Sequence, residues 1–528
     1  MIVVVRTHVH GIAFGLTLSV LALPALAINQ LVISADEVVT PAFKAGKISG
    51  LIHLGNPTAS LKVAVADVKR GETSWRDSTI TCASFSYSAG GVACASGSVK
   101  AAGRETPMTF SASERMVEVS LRPQAHEAWQ VKAKRGGEAW AVEFSVTQGD
   151  ATRLVPLIPV NQPLPTKGVV NGTIRLVFGA HGIASIEPDL ALTDFAFADK
   201  EGLRAGEKIA VSLHGRIDPR GAGWRWNADV AWKAGEIFWQ PLYFASAGNH
   251  LAVAGSSDDT ALRVESGTLQ LGSTGTLELA GVLNLKTKAV PEFTLRGTGL
   301  DLASLYPLLL KPFLAQSVAG QIDAAGRIDV DWRRRGGVTQ IFNLGLHDVN
   351  LADGNKRFSV KGVNAHIPWV KEQPSDGVIE IASAELLQLP IGPVVARPRM
   401  NGLAVTLPEV SIPLLDGQLK LEDVHAVQTG EDWTWTLKGG LAPLSLPALT
   451  EALHLPRMAG TLSGVIPQVS YAKDQIRVDG ALLLRIFDGS IVVKDLTLSA
   501  PLGLVPRAHA YLSMRNLDLD LLTQTFSF

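Results

Sequence analysis

Apolar and polar residues alternate along most of this chain, the period of a strand with one buried and one solvated face. Segments such as SLKVAVADV, MVEVSLR, WAVEFSVTQGD and TLELAGVLNLKTK carry it, with short Gly- and Asp-containing turns between them. The clearest turn signal is Asp488-Gly489 inside LLLRIFDGSIVVKDLTLSAPLGL, because a two-residue hairpin turn favours Asp-Gly. The same phrase stands 72 residues earlier around Asp416-Gly417, as LLDGQLKLEDV. Aligned on Asp-Gly, both copies run apolar, apolar, Asp, Gly, polar, aliphatic, any, aliphatic, charged, Asp, aliphatic. A looser relative with two extra residues surrounds Asp353-Gly354. A hairpin recurring in this way predicts a mainly β, repeat-like array rather than one compact enzyme core.

From about Pro291 a larger unit emerges: strand, Leu-x-Leu step, short Pro-containing apolar helix, then strands. It begins at GLDLASLYPLLLKPFL, again at LAPLSLPALTEALHL, and a third time at NLDLDLLTQTFSF. Helices this short cannot stand free, so they are expected to plug an edge or mouth of the sheet. Before Pro291 the stretch 154–168 holds four prolines and reads as a linker, since a central strand cannot accommodate them. The expected organisation is a leader at 1–27, an N-terminal β region at 28–153, the linker at 154–168, a middle β region at 169–290 and the repeat region at 291–528.

Composition narrows the function classes. The net charge is −1, charged residues make up 18%, and Arg333-Arg334-Arg335 beside Gly336-Gly337 is the sole basic cluster, so nucleic acid is not an expected partner. Arg6, the apolar run Gly11–Leu23 and Ala25-Leu26-Ala27 make a secretory leader cut before Ile28, with an uncleaved anchor as the alternative. In an oxidising compartment Cys82 and Cys94 are expected to form one disulfide. A turn centred on Gly90-Gly91 would place Cys82 opposite Val99, so the bridge requires another turn centre or an irregular hairpin.

Catalytic signatures are lacking: there is no GxSxG, GxxxxGK[ST] or HExxH, and the histidines show no metal-ligand spacing. No cofactor or metal is expected. The pairs Asp329/Asp331 and Asp518/Asp520, read as strand residues, could serve a glycosidase, but they fall opposite the aliphatic positions and read as a solvated side. Trp224, Trp226 and Trp232 occupy alternate positions and so one face, as a sugar platform or as packing. An outer-membrane barrel ending in Phe526 and Phe528 is disfavoured because Asp518 and Asp520 would face lipid.

The C-terminal motifs resemble the AsmA-like superfamily of bacterial envelope proteins, nearest the YdbH type whose C-terminal region has been called a "dicarboxylate transport" domain. The residues are GLDLASLYPLLL with VAGQIDAAGRIDVDW (Gly299–Trp332), IFDGSIVVKDLTLSAP (Ile486–Pro501) and RNLDLDLLTQTFSF (Arg515–Phe528); the first 290 residues match only in β character. The resemblance implies an elongated antiparallel sheet curled into a half-open hydrophobic groove, bridging inner and outer membranes. It also implies phospholipid transport across the periplasm of a Gram-negative bacterium, with acyl chains and membrane components of the envelope as partners. The chain departs from the family in its cleavable-looking leader. It also stops at Phe528 where members continue with another Gly-initiated strand, as a truncated or split member would.

Physically, strands alternating Leu or Val with polar residues have one greasy face. Closed on itself that face is a core; left open it is a channel for acyl chains, which need only apolar area at about 25 cal/mol per Å². The candidate lining residues are Leu277, Leu279, Leu283, Leu285, Leu419, Leu421, Ile491 and Val493. The alternative is an exported β-rich binding or scaffold protein whose apolar face is simply core.

Overall fold

The computed structural model describes residues 2–6, 9–10, 29–39, 44–55, 59–70, 73–101, 103–158, 162–180, 182–245, 248–314, 321–429, 432–500 and 507–526. Nearly all of them lie in β-strands, joined in sequence order by antiparallel pairing. The chain divides into two compact units, Met1–Asp259 and Thr260–Phe528. In the first, successive strands run from Gln30–Val39 to Asn249–Ser257; in the second, from Ala261–Leu271 to Arg507–Arg515. Within neither unit does a described pairing return the last strand to the first, so neither ladder closes into a barrel. The expected all-β, antiparallel and open architecture is the observed one. Of the segment expected to be a leader, Ile2–Arg6 and Val9–His10 run parallel to Gln30–Val39, and the apolar run with the expected cleavage motif lies outside the described residues.

The Pro-rich stretch follows a short 3-10 helix, Ala151–Leu157, which overlaps its first residues. The flanking strands Ala139–Asp150 and Leu164–Gly179 pair directly with each other, Trp140 opposite Phe178 and Val146 opposite Gly172. The division between the compact units comes later, at Asp259/Thr260.

Two local expectations are corrected. The hairpin turns are centred one residue before the expected place: Leu414 pairs with Gly417 and Ile486 with Gly489, so the turn residues are Leu415-Asp416 and Phe487-Asp488. Phe487 and Asp488 both take left-handed φ, 49° and 54°. The glycines serve close approach instead. A Cβ on Gly489 would sit 2.5 Å from the Asn516 carbonyl oxygen, and one on Gly417 3.0 Å from that of Pro443. The terminal segment is also not a strand. Leu519–Phe526 is helical, and Asp518 caps it by accepting from the amides of Asp520 and Leu521 at 2.8 and 3.1 Å.

The disulfide forms, with Cys82 and Cys94 Cα atoms 5.9 Å apart. Ser88 pairs with Gly91, so the turn is Ala89-Gly90; Cys82 then opposes Gly97, not Val99, and Cys94 opposes Phe85. The bridge is therefore diagonal. A Cβ on Gly97 would lie 2.8 Å from the Cys94 sulfur, so glycine there makes room for it.

Most long strands bend at a bulge. Gln148, Asp194, Lys208, Asp348, Asp423 and Asp495 all have φ near +50° and sit at breaks in register with a neighbouring strand. One extra residue at such a point bends the strand and increases its twist. The amides freed by the bulge find side-chain acceptors on the neighbouring strand: Gln148 N donates to Asn171 Oδ1 and Asp348 N to Asn364 Oδ1. Across the bulge the apolar spacing changes from two residues to three. Leu192 is followed on its face by Phe195, and Leu346 by Val349.

Candidate functional site

Residues directly opposite in an antiparallel pair share a face, so the pairing register shows what each side of the sheet carries. In the second unit one side is apolar strand after strand. Leu279, Leu295, Trp332, Phe342 and Trp369 form one transverse row. Leu300, Ile328, Leu346, Ala365 and Ile379 form the next. Further on, Ile412, Leu419 and Leu441 are opposite one another, as are Leu484, Ile491 and Met514. The opposite side carries the charges.

All the candidate lining residues within strands lie on the apolar side. Leu277 and Val493 are buried, at 6% and 9% exposure; Leu279, Leu283, Leu419, Leu421 and Ile491 are half-buried, and Leu285 stands just past the end of Gly275–Asn284. Half-burial is the informative state. Among the described residues of the second unit the elements most in contact are ladder neighbours and the short helices, and that unit lays no second sheet of its own over this face. An open apolar recess of about 260 Å³ is lined by Leu262, Leu279, Leu283, Phe293 and Leu295.

At one end the face is filled by a helical plug. Leu302, Leu305 and Tyr306 pack with Leu300, Ile328 and Val349 in one buried cluster. Asp301 caps this helix, accepting from Ser304 N at 2.9 Å, and its own amide donates to the Thr274 carbonyl in the preceding turn at 2.8 Å. The plan recurs. Ser445 caps Leu446–Ala452 while its amide donates to Asp416 Oδ1 at 3.0 Å, and the Asp518 amide donates to the Phe487 carbonyl at 2.8 Å. At the second and third plugs the Asp-Gly turns thus hold the N-caps, a role that the turn motif alone does not disclose.

A further copy, in the first unit, escaped the sequence reading because it lacks Leu-x-Leu. Asp150 caps Ala151–Leu157, accepting from Thr152 N at 2.9 Å. The residue after the preceding turn is Glu127, 1% exposed, where the later copies have glycine. Arg153 Nε and Nη2 donate to its two oxygens at 2.6 and 2.7 Å, Trp129 Nε1 donates at 2.7 Å and the Asp150 amide at 3.2 Å. Burial would raise the Glu127 pKa, but these donors outweigh it and hold the carboxyl below its ordinary value. The first unit also has a continuous apolar side, including Trp129, Val146 and Gly172 in one row and Leu192 with Val211 in another. Trp224, Trp226 and Trp232 belong to it, opposite Pro219, Ile217 and Val211. Alternation in the first 290 residues was the available signal for this second stretch.

The carboxylate pairs are otherwise engaged. Asp329 accepts from the Gly299 amide at 2.7 Å, the first cause of its lowered pKa, and contacts His347 Nε2 at 2.7 Å. Asp331 is paired with Arg333 at 2.6 Å and Arg296 at 3.6 Å. Both stand on the charged side of the strand, opposite Ile328 and Val330. No group of three or more His, Cys, Asp or Glu side chains with metal-binding geometry occurs among the described residues.

These features define a class: open antiparallel ladders with one apolar side, creased by bulges and stopped by N-capped helical plugs. Compared with known proteins, the chain matches no family model and no curated protein.

Proposed function

We propose that this protein carries phospholipid acyl chains along the apolar side of its sheet, as a periplasmic factor in lipid movement between the inner and outer membranes of a Gram-negative envelope. The observation that carries the reading is the apolar side of the second unit. It runs across successive strands, yet Leu279, Leu419, Leu421 and Ile491 remain half-exposed instead of lying under a second layer of the same unit. A soluble chain rarely leaves so large a contiguous apolar surface without a use for it. Acyl chains suit it because they need apolar area and no fixed polar constellation. The recurring plugs and Asp-Gly turns are also the features by which the sequence resembles AsmA-like proteins.

The test is direct. Purified full-length protein should yield phospholipid on solvent extraction. A photo-crosslinking residue at Leu419 or Ile491 should attach to lipid, whereas one at Lys420 or Ser490, on the opposite side, should not. Protein without extractable lipid, giving no adduct from Leu419 or Ile491, would leave the scaffold reading in its place.

A further inference from the structure

In the first unit the strand Gly223–Trp239 turns at Gln240-Pro241 into Leu242–Ala245. Its tip departs from the pattern of the rest of the sheet. Elsewhere an apolar side backs a charged one; here both sides carry aromatic rings. Trp239 pairs with Leu242 and with Arg204 on the side that continues inward through Ile237, Gly206 and Phe197, the apolar side of the unit. Phe238 pairs with Tyr243 on the opposite side, which elsewhere along the strand bears Arg225, Asn227 and Asp229. Phe238, Trp239 and Tyr243 are 36%, 47% and 50% exposed, and Leu203 in the adjoining turn is 46% exposed. The two turns are held together, since the Gln240 amide donates to the Leu203 carbonyl at 3.0 Å.

A protein partner seated on a sheet would cover one side, and aromatics on the second would serve nothing. Immersion in a medium that wets both sides uses all of them. The local charges point to the same medium. Asp199 is neutralised by Arg204 at 2.9 Å, Lys200 neighbours Glu201, and the Arg204 guanidinium stacks 5.2 Å over the Trp239 ring. Glu236, on the side of Phe238, accepts from the Tyr243 hydroxyl and adds a negative charge, so the tip carries no net positive charge and is not built for attraction to an anionic surface. Trp and Tyr favour the headgroup level of a bilayer, where an apolar ring body and a polar edge are both satisfied.

We propose that the Phe238–Tyr243 hairpin tip, with Leu203, inserts into the interfacial layer of a phospholipid bilayer. Because Trp239 is continuous with the apolar side of its unit, insertion brings that side to the membrane surface. This last step rests on the lipid-carrying reading; insertion itself does not.

Full-length protein should float with vesicles of neutral phosphatidylcholine and should stay bound in high salt. The triple variant Phe238→Ser, Trp239→Ser, Tyr243→Ser should lose about tenfold or more in partitioning, since binding strength follows buried apolar area. These side chains are exposed, so the variant should keep the amide protection of the Arg204–Arg220 strand. A polarity-sensitive dye on Tyr243→Cys should shift to the blue with vesicles, giving a readout free of the triple substitution. Equal flotation of variant and parent, no flotation of the parent, or binding only to anionic vesicles with loss in salt would each overturn the proposal. Extractable lipid separates the two readings: its absence alongside tip-dependent flotation removes the carrier function and keeps the membrane contact.

Discussion

Two of the helical plugs do the same job with opposite chemistry. At Asp150 the strand end is locked by a buried carboxylate, Glu127, that accepts from Arg153, Trp129 and the Asp150 amide. At Asp301 the corresponding place is filled by Leu300, Leu302 and Leu305, at 1%, 6% and 6% exposure. The backbone device is shared: an Asp caps a short helix, and its amide is bound from the preceding turn. What differs is how each responds to change. An apolar plug fails in proportion to the cavity left behind, whereas a buried ion pair fails when one partner is removed and the other is stranded.

The largest effect is expected at the apolar plug. Leu300→Ala should cost about 4 kcal/mol, toward the upper part of the range for a fully buried leucine. Native-state hydrogen exchange should show this as lost protection in Gly275–Asn284 and Ile322–Arg335, with Ala139–Asp150 unaffected. A loss under about 1 kcal/mol would mean that the cluster collapses freely around the gap. Next comes Glu127→Ala, at about 3 kcal/mol, the low end for breaking a buried pair because the Arg153 side chain keeps some contact with solvent. Its signature is the mirror image, with protection lost in Glu127–Gly136 and Leu164–Gly179. If Glu127→Ala also loosened the strands around Leu300, the two plugs would not be independent devices.

The comparison also shows what a sequence displays. Alternation gave the strands, the apolar side and the all-β class, because burying one face fixes period and register together. The apolar plugs were visible because Leu-x-Leu before a Pro-containing helix repeats as text. The charged plug was not, since Glu127 and Arg153 stand 26 residues apart and meet only through the ladder. The bulges lie in between. Both copies of the hairpin phrase end in charged-Asp-aliphatic, and in the structure those aspartates, Asp423 and Asp495, are the left-handed bend residues. The pattern was legible, but its meaning was not, because nothing local distinguishes an Asp that solvates a strand from one that bends it. The turn register erred by one for a related reason. Asp-Gly usually marks positive φ at the glycine, whereas here close approach of the next strand end requires glycine after the turn.

Acid should separate the plugs most gently. Glu127 and Asp150 both titrate below their ordinary values; in each, burial opposes the shift and hydrogen bonds from Arg153 and Thr152 respectively are the leading causes that overcome it. A carboxylate with a depressed folded-state pKa contributes its full stabilisation above its unfolded value, about 4.3 for Glu and 3.9 for Asp, and loses it as pH falls through the folded value. The Leu300 plug has no buried carboxylate of its own. Its neighbour Asp329, held low chiefly by the Gly299 amide, has a side chain 40% exposed, so screening weakens its contribution. Further along the second unit Asp353 is lowered to about 2 by Arg357, so its contribution is lost only between about pH 4 and that value. As pH falls below about 4.3, hydrogen-exchange protection should therefore drop first in Glu127–Gly136 and Ala139–Asp150, ahead of Gly275–Asn284 and Glu292–Asp301. Glu127→Gln should abolish most of that difference. Parallel loss of protection in both sets of strands would mean that the charge on Glu127 is not what holds the first plug.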